Sequence, residues 1–136
     1  YRHSRYSDTG ELVLEAHFLL KSSDPDEIRA KMDALMTRRR SKQPLEFGSA
    51  GSTFKRYPGT FTGKLIEEAG LKGFSIGGAQ VSKKHAGFVI NTGSATAADI
   101  WNLCNEIQNR VQNEFGVTLE MEIQKLGSFE QQKTKG

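Results

Sequence analysis

The chain has 136 residues, 36% of them hydrophobic and 26% charged, with a net charge of +3 at neutral pH. Its mean hydropathy is -0.54 and its pI about 9.1, a profile that fits one globular domain, or one domain with parts of a neighbour, and excludes a disordered or membrane-embedded chain. The single cysteine, Cys104, rules out an internal disulfide and fits a reducing compartment, by default the cytoplasm, while no apolar run approaches the roughly 20 residues of a spanning helix and no leader-like segment opens the chain.

The chain starts at Tyr1, inside what reads as structured sequence, which points to a domain upstream of it. Asp8-Thr9-Gly10 is turn chemistry, and residues 12–20 (LVLEAHFLL) read as a strand buried on most of both faces, forming a hairpin with the segment around Tyr6. Asp24 is placed to cap a helix, Pro25 suits its first position, and Asp26 and Glu27 put negative charge at the positive end of the dipole. That helix is expected to run to about Arg40 with an apolar stripe of Ile28, Met32, Leu35 and Met36, its cationic Arg38–Arg40 end being a solvated terminus. Residues 41–61, with two prolines and several hydroxyls, read as a shaped loop.

A short helix is expected over Gly63–Ala69 with Leu65 and Ile66 inward, then two short strands, Ala79–Ser82 and Gly87–Asn91, around a Lys83-Lys84-His85 tip. The strongest periodicity lies at 96–115, where Ile100, Leu103, Ile107, Val111 and Phe115 recur at helical steps before Gly116, a residue suited to a left-handed cap. Residues 117–126 alternate as a strand, with Leu119, Met121 and Ile123 on one side and Glu120, Glu122 and Gln124 on the other. The tail 128–136 has no apolar pattern and is expected to be disordered. Strands and helices lack a regular βαβ rhythm. The predicted class is therefore α+β: a small mixed or antiparallel sheet packed against two main helices, preceded by a strand pair.

Chemistry concentrates in the loop from Phe47 to Arg56. Its small residues let a ligand approach backbone closely, its hydroxyls can donate, and Lys55-Arg56 can meet an anion. Read alone, the stretch fits a tight turn as well as a ligand site; it is not a P-loop, and the second glycine cluster, Gly73–Gly78, is not a dinucleotide fingerprint and reads as turn structure. Lys83-Lys84 reads most simply as a solvated tip and Cys104 as a structural thiol. His3, His17 and His85 have no metal-ligand spacing with Cys104, so no metal site is expected.

Taken together, Tyr1-Arg2-His3-Ser4, RRRSKQP (38–44), SAGSTFKR (49–56), GKLIEEAGLKG (63–73), IGGAQVSKKHAGFVIN (76–91) and a closing strand with glutamate resemble, in order and spacing, the UDP-N-acetylenolpyruvoylglucosamine reductases, in the shorter of that family's two forms. The resemblance covers nearly all of residues 1–127. It implies that residues 1–21 are the end of an FAD-binding domain, that 22–127 are the UDP-sugar substrate-binding domain, and that the flavin-binding part lies upstream. It also implies a flavoenzyme that uses NADPH and FAD to reduce UDP-N-acetylglucosamine enolpyruvate to UDP-N-acetylmuramate for peptidoglycan, cytoplasmic and monomeric when intact, with neither nucleic acid nor membrane as partner. This fragment alone is expected to be inactive.

By motif position the resemblance places catalytic roles on Arg2, Ser52 and Glu122, with Glu120 as the competing carboxylate. It places substrate binding on Lys42, Lys55, Arg56, Gln80 and His85, and cofactor contact on Tyr1, Ala50 and Gly51. The departures are Tyr57, where relatives usually have proline, and Gln124-Lys125 after Glu122. In that chemistry Arg2 offers permanent charge to an enolate-like carboxylate, and Ser52 gives its proton to carbon. Lys42, Lys55, Arg56 and the Lys83–His85 tip hold the diphosphate and carboxylate. The rival expectations are a UDP-sugar-binding module without catalysis, told apart by nucleotide-sugar titration, and a small RNA-binding domain, told apart by a salt-dependent gel shift.

Overall fold

The computed structural model describes residues 4–7 and 9–127. Two compact units divide the chain, residues 1–34 and residues 35–136. In the first, residues 4–7 form a turn closed by Ser7 N donating to Ser4 O at 3.1 Å, and Arg5 lies over the Tyr6 ring and pairs with Glu11. Residues 11–23 carry no regular structure, and Leu12, Leu14, Phe18, Leu19 and Leu20 are all exposed. Among the described residues the strand and hairpin expected there are absent. A strand needs a neighbour for its backbone N–H and C=O groups, and no described residue pairs with this segment. The tail 128–136 lies outside the described residues.

Helix α1 (Pro25–Lys42) begins as its sequence dictates: Asp24 Oδ1 accepts from the backbone N–H groups of Asp26 at 2.9 Å and Glu27 at 3.1 Å. It runs two residues past the expected end and buries none of its residues, so its stripe of Ile28, Met32, Leu35 and Met36 is exposed. Of the two long helices, only the second packs on the sheet in the expected way.

The second unit is built on a four-stranded antiparallel sheet of β1 (Gly48–Ser49), β2 (Ser75–Ile76), β3 (Ala79–Val81) and β4 (Val89–Asn91), in the order β1-β4-β3-β2. β3 and β4 lie where the sequence places them, whereas β1 and β2 are two-residue strands inside stretches read as loop and turn. Gly48 opposite Asn91 and Ser49 opposite Ile90 set the β1 register. Between β1 and β2 lies α2 (Thr62–Glu68), and after β4 comes α3 (Ala97–Phe115). Thr96 and Asp99 close a reciprocal capping box at the start of α3, and Gly116 ends it in the left-handed conformation at φ 68°.

The inward stripe of α3, Leu103, Cys104, Ile107 and Val111, is fully buried and meets Val81, Ile66, Leu71, Phe54 and Leu119 in one core. Each large side chain there contributes about 1.5–3 kcal/mol through burial, so α3 is the main source of cohesion. Gly77 and Gly78 make this packing possible: a Cβ on Gly78 would stand 2.3 Å from Ala95 N, and one on Gly77 2.4 Å from the Asp99 carboxylate. The glycine pair read as turn chemistry is thus the seat for the start of α3. The expected last strand reduces to a single bridge, Phe54 opposite Met121, with Leu119 buried and Glu120 and Glu122 exposed in the predicted alternation. No helix among the described residues is long and apolar enough to cross a membrane.

Candidate functional site

The loop leaving β1 is pinned on both sides. Thr53, fully buried, donates its N–H to Gly87 O at 2.9 Å, and its hydroxyl accepts from Val89 N at 2.9 Å. On the other side Lys55 N donates to Glu120 O at 2.8 Å and Glu122 N to Thr53 O at 2.9 Å. Phe54 sits in the core between these anchors. Thr62 ties the loop's exit to the start of α2, donating to Lys55 O at 2.7 Å and accepting from Tyr57 N at 3.1 Å. Ser52 is therefore an exposed hydroxyl on a backbone fixed one residue away, and its Oγ donates to Phe54 O at 3.1 Å. Gly51 before it has φ 86°, and no atom lies within 4 Å of where its Cβ would be. Glycine is required there for its backbone, and its surroundings are open.

Ser52 and Gly51 line a cleft of about 470 Å³ together with Ser49, Arg39, Gln43, Pro44, Leu45, Phe47 and Phe88. Arg39 is held by its Nε donating to Gln43 Oε1 at 3.1 Å, and the turn after α1 is closed by Leu45 N to Gln43 O and Phe47 N to Pro44 O. A guanidinium, an amide and two hydroxyls among apolar lining residues suit an anionic, hydroxyl-bearing ligand. Arg39 and Gln43 are absent from the residues that sequence singled out for the site. The one available signal was a basic helix end running directly into Ser-Lys-Gln-Pro; only closure of the 43–47 turn brings it to the Ser52 loop.

Of the predicted residues described, only Ser52 and Gly51 line this cleft. Lys42 is the exposed last residue of α1. Lys55 pairs with Glu120, so the competing carboxylate is engaged. Arg56 lies 4.5 Å over the Phe61 ring. Gln80 donates to Ser75 Oγ at 3.0 Å and lines a smaller hollow of about 280 Å³ with Glu46, Phe47, Ser82, Lys83, Lys84 and Ile90. His85 Nδ1 accepts from Gly87 N at 3.1 Å, which puts the proton of the neutral ring on Nε2. Its ring meets Phe88 edge-on at 5.0 Å. Ala50 is exposed beside Gly51. Glu122 is exposed, and its backbone is tied to the residue after Ser52. Tyr1 and Arg2 lie outside the described residues.

Lys84 is not a loose tip. Its ammonium reaches Glu46 Oε1 at 2.9 Å and Oε2 at 3.1 Å, and the carbonyls of Arg40 at 3.3 Å and Gln43 at 3.5 Å. Glu46's carboxyl sits below the usual range, because a backbone N–H bonds it and Lys84 adds a second bond. Cys104 is sealed in the core, and burial pushes its thiol up to about 12, which fits the structural reading.

Fold and cleft define an α+β domain with a cleft whose polar groups come from one helix end and one small-residue loop. Residues 43–126 match the family model described as UDP-N-acetylenolpyruvoylglucosamine reductase, C-terminal domain, and the chain belongs to that family. It is 57% identical over 127 residues to UDP-N-acetylenolpyruvoylglucosamine reductase from Pediococcus pentosaceus, covering 93% of this chain and 42% of the relative. It is 54% identical to the protein of that name from Caldanaerobacter subterraneus, with the same coverage. The crystal structure of UDP-N-acetylenolpyruvylglucosamine reductase (MurB) from Thermus caldophilus superposes with a TM-score of 0.59 at 37% identity, over 75% of this chain and 36% of that one. The chain thus spans about two fifths of the length of the curated relatives it matches.

Proposed function

We propose that this chain is the substrate-binding end of an enzyme that reduces UDP-N-acetylglucosamine enolpyruvate to UDP-N-acetylmuramate in cytoplasmic peptidoglycan precursor synthesis, with FAD as cofactor and NADPH as reductant. The observation that carries it is the cleft that Ser52 shares with Arg39 and Gln43. Ala50 and Gly51, beside Ser52 on the exposed loop, are the residues of this chain that would contact the flavin. When bound, the flavin supplies the hydride equivalent for the carbon–carbon double bond.

The chain's own residues supply the rest. Reduction at the terminal carbon leaves electron density on the neighbouring carbon and its carboxylate, which needs fixed positive charge and donors. Arg39 in the cleft, with Arg2, meets the substrate's anionic groups. Ser52 donates its hydroxyl proton to the neighbouring carbon, turning from Phe54 O by rotation about χ1 while the anchored backbone holds its Cα in place. Glu122 acts at the same acid group or orients Arg2. Glu120, two residues earlier, is paired with Lys55, and Glu122 takes the role by its motif position. Lys42, Lys55, Arg56, Gln80 and His85 are assigned by motif position as holders of the diphosphate and sugar, His85 offering Nε2–H as a donor.

The test is Ser52→Ala in the complete reductase. Reduction of the enolpyruvyl substrate should fall by roughly 10²–10⁴-fold, the usual contribution of a positioned proton donor, while flavin reduction by NADPH in a stopped-flow half-reaction keeps its rate. Near-normal turnover would remove Ser52 from its role.

A further inference from the structure

Both walls of the cleft hang on the connection between β3 and β4. The Ser52 wall is tied there by Thr53, through Gly87 O and Val89 N. The wall of Arg39, Gln43, Leu45 and Phe47 is a helix end and a turn that enters the ladder only at Gly48, and the group that reaches it from the same connection is the Lys84 ammonium. Lys84's own backbone is firmly seated. Its N–H donates to Ser82 Oγ at 3.2 Å, Ser82 is buried, and Ser82 N donates to Phe88 O at 2.9 Å. The side chain then meets four oxygens: two helix-end and turn carbonyls, of Arg40 and Gln43, and both carboxylate oxygens of Glu46. A cation at those carbonyls complements the negative end of the α1 dipole, and Glu46 completes its charge balance. A lysine so surrounded is poorly placed to hold a diphosphate as well.

We propose that Lys84 is a positioning residue: with Glu46 it clamps the 43–47 turn, and so sets where Arg39 and Gln43 stand across the cleft from the Ser52 loop. The consequence for substrate rests on the reductase reading; the clamp itself does not.

Two readouts test it in the complete reductase. Lys84→Met should raise amide hydrogen exchange at Leu45 and Phe47 severalfold while Val81 and Ser82 keep theirs. It should also raise KM for the UDP-sugar substrate roughly fivefold, the scale of losing one partly exposed ion pair, with kcat kept within about twofold because the Ser52 anchors are untouched. Glu46→Gln should shift both readouts in the same direction, the double variant should be no worse than Lys84→Met, and Lys84→Arg should restore part of the loss. A merely structural lysine would lower the active fraction, and with it apparent kcat, at constant KM. Unchanged exchange at Leu45 and Phe47, or a silent Glu46→Gln beside a damaged Lys84→Met, overturns the proposal; the second pattern is that of a direct ligand. If the unsubstituted enzyme fails to reduce the enolpyruvyl substrate, the functional reading falls separately, and the exchange measurement alone decides the clamp.

Discussion

Residues 12–20 hold seven apolar residues in nine and form no ladder, whereas Gly48-Ser49, two small residues in a loop-like stretch, form a strand. Leu19 is fully exposed; Ile90, across from Ser49, is 2% exposed. The difference is one of partners. β1 has Ile90 and Asn91 beside it to take its backbone hydrogen bonds, and a core already assembled on α3. Residues 12–20 have side chains suited to a strand but no described neighbour to pair with. Apolar content sets a demand for burial, and pairing decides whether it is met.

The comparison can be broken most strongly in the core. Ile107→Ala should cost about 3 kcal/mol in urea unfolding of the chain, because its fully buried site cannot collapse onto the rigid sheet. A loss below about 1 kcal/mol would mean that α3 does not hold this unit together. Gly78→Ala should cost about 2–3 kcal/mol, since the added methyl meets backbone of Ser94 and Ala95 rather than a yielding side chain. An unchanged unfolding midpoint would show that the start of α3 is not seated there.

A smaller effect is expected at Asp99. Backbone and side-chain bonds from Thr96, with a further backbone bond from Gly78, hold its carboxyl below the usual aspartate value. With the folded value lowered, its contribution is complete above the ordinary value of about 4 and is lost as pH falls through the folded one. Unfolding midpoints followed from neutral pH to about pH 3 should therefore fall more steeply for the parent chain than for Asp99→Asn. Parallel curves would detach the capping box from acid sensitivity. The smallest effect belongs to the other half of the comparison: Leu19→Ser should change stability by no more than about 0.5 kcal/mol, because no packing is lost. A larger loss would show that the segment is buried in solution.

Much of the fold was legible in the residues. The period of Leu103, Ile107 and Val111 predicted the buried face of α3, Asp24-Pro25 marked the start of α1, Gly116 the end of α3, and the alternation through Leu119, Glu120, Met121 and Glu122 was read correctly. The small-residue loop was visible as a candidate site, and its motifs were enough to point to the family. Arg39 was not visible as part of it, and Lys84 was read as solvated, because nothing local marks a basic residue whose partners lie far along the chain.

By itself, the sequence determined helix periods, caps, strand alternation and family, because each is written within a few consecutive residues or in a motif order. Tertiary structure alone decided that β1 closes on β4, that Gly77-Gly78 seats α3, that Lys84 reaches Glu46 across 38 residues, and that Arg39 shares a cleft with Ser52. These depend on which distant surfaces meet, and that is settled by packing the whole core around α3 rather than by the preferences of any one segment.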